Sequence, residues 1–193
     1  PIWFDAVYLS ADTNFGGDTF LAQVPNAAYL APGDSYANGA IISIPRGLNG
    51  THYLFVKTDH ANYVFENADE GDNVTISGPM FINLTPPPDL RVGAVNPPLN
   101  AFSGQPVQLS YAITNYGPGQ TLETSWSDRV YLSTNTTIEG SDHLLGAFSH
   151  NGGLEPGAGY RATNTVNLPV GVVGNWYFLV QADAFGQVYE VPF

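Results

Sequence analysis

The sequence predicts an all-β fold of tandem antiparallel β-sandwiches with no significant helix. Three observations carry that expectation. Short runs rich in Val, Tyr, Phe, Ile and Thr alternate with turn-forming clusters along the whole chain. Residues that build exposed helix faces are scarce: Lys and Arg together number five, and charged residues make up 11% of the 193. The chain also repeats itself, for WFDAVYLS at 3–10 returns as WSDRVYLS at 126–133.

The repeat runs well beyond that octapeptide. GDTFLAQV (17–24) meets SDHLLGAF (141–148), and LAPGDSY (30–36) meets LEPGAGY (154–160). IPRGLNGTHYLFVKTDHANYVFE (44–66) meets LPVGVVGNWYFLVQADAFGQVYE (168–190). Residues 88–125 have no counterpart before the first Trp, and residues 67–86 have none after Glu190. The expected division is therefore 1–86, a repeat lacking its opening strands, and 87–193, a repeat lacking its final strand. The joint falls at TPPPDL, where prolines remove the donors that ladder pairing needs. Such a chain reads as a window on a longer array, or as a subunit that borrows strands.

Taken in order, the expected strands of the fuller copy are DLRVGAV, VQLSYAIT, WSDRVYLS, HLLGAF, YRATNTVNL, WYFLVQAD and QVYE. SGQP, NYGPG, EPGAG, PVGVVG and DAFG separate them, all rich in turn formers. VQLSYAIT places Val107, Leu109, Tyr111 and Ile113 on one face with Gln108 and Ser110 opposite, the alternation of a half-buried strand. The pattern predicts a seven- or eight-stranded sandwich. A strand like 73–84 is expected to close the unit.

Composition narrows the function classes. Seventeen Asp and Glu against five Lys and Arg give a formal net charge of -12. That surface repels nucleic acid and anionic lipid, whose phosphates need Lys and Arg to displace their counterions. Without cysteine, zinc–thiolate clusters, thiol catalysis and disulfide stapling are excluded. No apolar run is long enough to insert into a membrane as a helix. No leader segment opens the sequence at Pro1, which fits a processed or excised fragment.

PDLRVGAVNPP, SGQPVQLSYAITNYGPG, DRVYLS, LEPGAGY, LPVGVVGNWYFLVQAD and VYE together resemble the CARDB module, a cell-adhesion-related domain of bacteria and archaea. The resemblance covers 88–190, and 1–86 apart from the opening strands. It implies an immunoglobulin-like sandwich in large secreted or surface-attached proteins, hence an extracellular or cell-surface location. It implies no catalytic residues.

The recurring Trp is expected to anchor the core, as a buried Trp does on the central strand of many sandwiches. Counting by twos from Trp3 and Trp126 places Asp5 and Asp128 on the same inward face as Val and Leu. A buried carboxylate needs partners. It either caps backbone N–H groups at the rim, is turned outward by a bulge, or helps to hold a cation. Antiparallel pairing with YFLVQAD brings Asp128 toward Asp183, with Glu190 beyond the next hairpin; the first copy repeats the trio as Asp5, Asp59 and Glu66. Several carboxylates on one rim form the oxygen-rich setting that calcium prefers. DTNFGGD (Asp12, Asn14, Asp18), NTTIEGSD (Asn135, Glu139, Asp142) and ENADEGD (Glu66, Asp69, Glu70, Asp72) are further acidic turns.

His52, His60, His143 and His150 align with Trp176, Ala184, Thr19 and Asn26, so no histidine recurs, and none lies in a nucleophile motif. No enzyme activity is expected. Asn49, Asn73, Asn83 and Asn135 each open an N-x-T sequon and are glycosylation candidates. Tyr8, Tyr53, Phe55 and Tyr131 form either a sugar-stacking strip or the outer face of a packed sheet. The leading expectation is a non-catalytic structural or adhesive module from a repetitive protein. Its rivals are a filament or sheath subunit joined to neighbouring repeats or identical subunits by donated β-strands, and a carbohydrate-binding module that takes surface glycans.

Overall fold

The computed structural model describes residues 2–26, 29–67 and 71–190. The chain divides into two compact units, Pro1–Thr85 and Pro86–Phe193. No helix occurs among the described residues.

In the first unit, β1 (Trp3–Ser10), β2 (Thr19–Asn26), β3 (Gly50–Lys57) and β4 (Val74–Ile76) form one antiparallel sheet in the order β2-β1-β3-β4. β5 (Met80–Ile82) pairs with β3 farther along the same edge. The single closing strand expected over 73–84 is thus two short ones. Ser77 ends the first by exchanging backbone and side-chain hydrogen bonds with Leu54, and Pro79 offers no N–H to continue the ladder. Among the described residues, the first unit has no second sheet.

The second unit is a two-layer sandwich. β6 (Leu90–Asn96), β7 (Pro106–Asn115) and β10 (Gly159–Asn167) make one sheet, ordered β10-β7-β6. β8 (Ser125–Ser133), β9 (His143–Asn151) and β11 (Tyr177–Gln181) make the other, ordered β11-β8-β9. The chain changes sheets after β7, β9 and β10, the crossed connectivity of an immunoglobulin-like fold. Leu109, Tyr111 and Ile113 from β7 face Trp126, Val130 and Leu132 from β8, and all six are buried. The alternation read in VQLSYAIT therefore sets the core. QVYE at 187–190, expected as a strand, forms none: the N–H groups of Gln187 and Val188 go to the Asp183 carboxylate instead of a ladder.

Asn115, the last residue of β7, holds one end of this sandwich together. Its side-chain oxygen accepts from the N–H groups of Asp89 (2.9 Å) and Gly117 (3.0 Å). Its amide donates to the carbonyls of Gly119 (2.8 Å) and Leu154 (3.1 Å). The residue is fully buried and every side-chain hydrogen-bonding direction is used. Gly117 and Gly119 let the Pro-rich segment lie directly on this turn; a Cβ on Gly119 would meet the Pro86 carbonyl oxygen at 1.7 Å. Replacing Asn115 with Ala strands these buried backbone groups. Urea unfolding is expected to show a loss of about 3 kcal/mol or more; a loss under about 1 kcal/mol would mean that water restores the clamp.

Candidate functional site

Each unit is organised around one buried aspartate. Asp128, on β8, is 1% exposed. One carboxylate oxygen accepts from the Tyr160 hydroxyl at 2.5 Å and the Tyr111 hydroxyl at 3.2 Å; the other accepts from the Asp183 backbone N–H at 3.2 Å. Tyr111 and Tyr160 stand on β7 and β10, so the aspartate ties one sheet to the other. Trp126 joins from its indole N–H to the Tyr160 hydroxyl at 3.2 Å, and His150 stacks on the Tyr160 ring at 3.8 Å.

The first unit repeats this arrangement with one exchange. Tyr36, aligned with Tyr160, donates to Asp5 at 2.6 Å, and the Trp3 indole donates to Tyr36 at 3.2 Å. Among the described residues, no counterpart of β7 brings a second tyrosine. Thr58, where the second unit has Ala182, donates its hydroxyl to Asp5 at 2.7 Å instead.

Asp59 and Asp183 perform a second recurrent task. Both adopt left-handed backbone, with φ of 40° and 39°. The Asp183 carboxylate caps the N–H groups of Gln187 (2.8 Å) and Val188 (2.7 Å). The Asp59 carboxylate caps Tyr63 (2.9 Å) and Val64 (2.7 Å) in the same way. Short polar side chains tolerate this conformation because they bond locally to the turn they make. Sequence reasoning brought Asp128 and Asp183 together correctly in space, yet the contact runs through the Asp183 backbone N–H, with its carboxylate directed at the turn.

Glu190 and Glu66 depart from each other. Glu190 accepts the Leu90 N–H at the start of β6, and Glu66 accepts the Asn73 amide at 2.6 Å. Burial, with Asp183 and Asp89 nearby, pushes the Glu190 carboxyl above its usual range, while the Leu90 bond opposes the shift. The six carboxylates thus meet hydrogen donors of the protein itself. Among the described residues, no three His, Asp or Glu side chains gather closely enough to hold a metal ion.

The acidic turns are internally bonded too. Asp12 accepts from the Asn14 N–H at 2.7 Å, and Asn135 accepts from the Thr137 N–H at 2.7 Å. Asp18 and Asp142 cap Gly16 and Glu139. Asp69 and Glu70 lie outside the described residues. Of the sequon asparagines, Asn49, Asn83 and Asn135 are exposed, whereas Asn73 is buried on Glu66 and is not open to a glycan. Of the four aromatics of the expected strip, Tyr8, Tyr53 and Tyr131 are half-buried and Phe55 is buried. Phe55 is 4% exposed beneath Phe15, and Tyr8 packs edge-on against Phe15 and Phe20. The residue that sequence reasoning missed is Tyr160 with its partner Tyr36: their alignment in LEPGAGY and LAPGDSY was visible, but nothing in the sequence said that both hydroxyls end on the aspartate.

A family model described as CARDB matches residues 87–191. The chain belongs to the CARDB family. The matched span covers the six strands of the sandwich, together with Asn115, Trp126, Asp128, Tyr160, Asp183 and Glu190. CARDB is a cell-adhesion-related bacterial domain, which points to a surface role. No curated protein matches the chain. Among solved structures, β-glucosidase 3B from Thermotoga neapolitana, in complex with α-D-glucose, is similar over 42% of this chain at 16% identity and a TM-score of 0.31. The chain spans 10% of that protein's length.

Two outcomes follow from this geometry. Burial, then the nearby Asp128, raises both Tyr111 and Tyr160 above the usual tyrosine value. A group raised on folding contributes stability that is complete below its unfolded value, about 10 for tyrosine, and lost as pH climbs beyond it. The melting temperature is expected to fall as pH rises above about 10. In Tyr160→Phe the fall is shallower; parallel curves for the two proteins would remove the phenols from the explanation. Melts in excess EDTA and in millimolar calcium are expected to coincide, and a higher midpoint in calcium would reveal a site that these carboxylates do not form.

Proposed function

We propose that this CARDB chain is a non-catalytic structural and adhesive module of a repetitive extracellular or surface-attached protein. The observation that carries the reading is the recurrence of one polar framework in both units, turned inward to hold backbone and tyrosines. Trp3, Asp5, Tyr36 and Asp59 hold the first unit as Trp126, Asp128, Tyr160 and Asp183 hold the second. A framework repeated with its residues and contacts suits a stalk, in which each copy contributes length and stiffness without a cofactor.

Catalysis finds little support in the same geometry. The histidines are spread apart: His52 rests on the Gly50 carbonyl, His60 on Gln23, His150 on the Gly152 carbonyl, and His143 lies beside the Trp176 ring. Asp142, adjacent to His143 in sequence, caps Glu139. A glycan-binding role has less support, since Phe55 of its expected strip is buried.

Antibody raised against the chain tests the location and role. The expected outcome is labelling of intact cells of the source and loss of their attachment when the antibody is present. Labelling only after permeabilisation would contradict the reading.

A further inference from the structure

The outer face of the β11-β8-β9 sheet carries an apolar centre and one charge. Alternation along β8 sends Asp128, Val130 and Leu132 into the core and Arg129 and Tyr131 outward. Arg129 lies between Ala147 of β9 and Gln181 of β11; Tyr131 lies between Leu144 and Leu179. Leu144 is 51% exposed, and Tyr177, two residues before Leu179, is 48% exposed. No Asp or Glu occupies an outward position on these three strands, although the chain has seventeen acids against five Lys and Arg.

The Arg129 guanidinium stacks on the Phe185 ring at 4.3 Å, which holds it over the face. Its Nε is buried without a hydrogen-bond partner, and among the described residues no carboxylate pairs with it. The loop after β8 brings a carboxylate to one end of the same sheet, for Glu139 is exposed there beside the exposed Ile138. That loop follows Ser133, on one side of Tyr131, while Arg129 lies on the other. The first unit lacks both charges together. Ala6 stands where the second unit has Arg129, and the loop reads Phe15, Gly16, Gly17 in place of Ile138, Glu139, Gly140. There Phe15 covers the face itself, packing on Tyr8 at 5.3 Å and on Phe55 at 5.4 Å, and Ala6 and Phe55 are buried.

We infer that this face is a contact between two copies of the chain. A two-fold axis in the plane of the contact, crossing the strands at Tyr131, lays β8 of one copy antiparallel over β8 of the other. Such an axis exchanges the two ends of the face, so Arg129 of each copy meets Glu139 of the other. Leu144, Leu179 and Tyr177 pack between the two charge pairs. The partner is a second copy because the face complements itself: cation, apolar centre and anion succeed one another along it. Two chains of net charge -12 repel each other over most of their surface, and an acid-free sheet face is where that repulsion is least. Charge pairs that lose solvent in the contact also count for more than exposed ones.

Sedimentation of the intact chain at physiological salt, over a wide concentration series, tests the contact. Reversible dimerisation is expected. Arg129→Glu and Glu139→Arg, each alone, are expected to weaken it by about tenfold or more, because each sets like charges together at both ends of the contact. Combining the two reversals is expected to restore most of the affinity, since opposite charges meet again. The double variant also separates charge pairing from misfolding, because damage to the sheet by either change would persist in it. A monomer at every concentration overturns the inference. So does a dimer that the single reversals leave untouched, or one that the double reversal fails to rescue.

Discussion

The sandwich of the second unit depends on keeping a carboxylate inside it. Asp128 sits among aliphatic and aromatic side chains with 1% exposure, where an unpartnered acid would be strongly destabilising. Three donors satisfy it, two of them tyrosines from the opposite sheet and one the N–H of Asp183. That demand sets much else. Tyr160 must cross from β10 with its hydroxyl inward, which also gives the Trp126 indole its acceptor. Asp183 must take a left-handed conformation so that its N–H faces the aspartate while its own carboxylate caps the next turn. In the first unit the same demand is met with different means, Thr58 replacing the tyrosine that no β7 supplies.

How much of this was legible in the sequence depended on whether a signal was local. The period-two alternation of VQLSYAIT is a property of a few neighbouring residues, and it placed Leu109, Tyr111 and Ile113 in the core. The Trp, Asp, Val and Leu of WSDRVYLS were readable for the same reason, and the repeat made them doubly visible. The strand in QVYE was misread because β-propensity says nothing about competition: the Asp183 carboxylate claims the N–H groups that a ladder needs. The acidic trios come from proximity of carboxylates along paired strands. Sequence spacing does not show which atoms face each other, and the contact between Asp128 and Asp183 is carboxylate to N–H. Asn115 lay in a turn recognised only for its glycines. Its four hydrogen bonds reach 26 residues back and 39 forward, beyond any local pattern.

The contrast between the units connects packing with function. The CARDB match covers the unit that is closed, in which both sheets share one core. In the other, the same inward residues are present but half-covered, and a strand-competent segment lies without a ladder. The polar framework therefore does not require the second sheet, but the apolar face does.

The claim that the aspartate ties the two sheets is tested most directly by a double-mutant cycle. Asp128→Asn, Tyr160→Phe and the combination are unfolded in urea as full chains. The account predicts that the two losses overlap, with a coupling energy of about 1–3 kcal/mol, as expected for a charge-assisted hydrogen bond in a buried site. Losses that add to within about 0.5 kcal/mol would show two independent residues and contradict it.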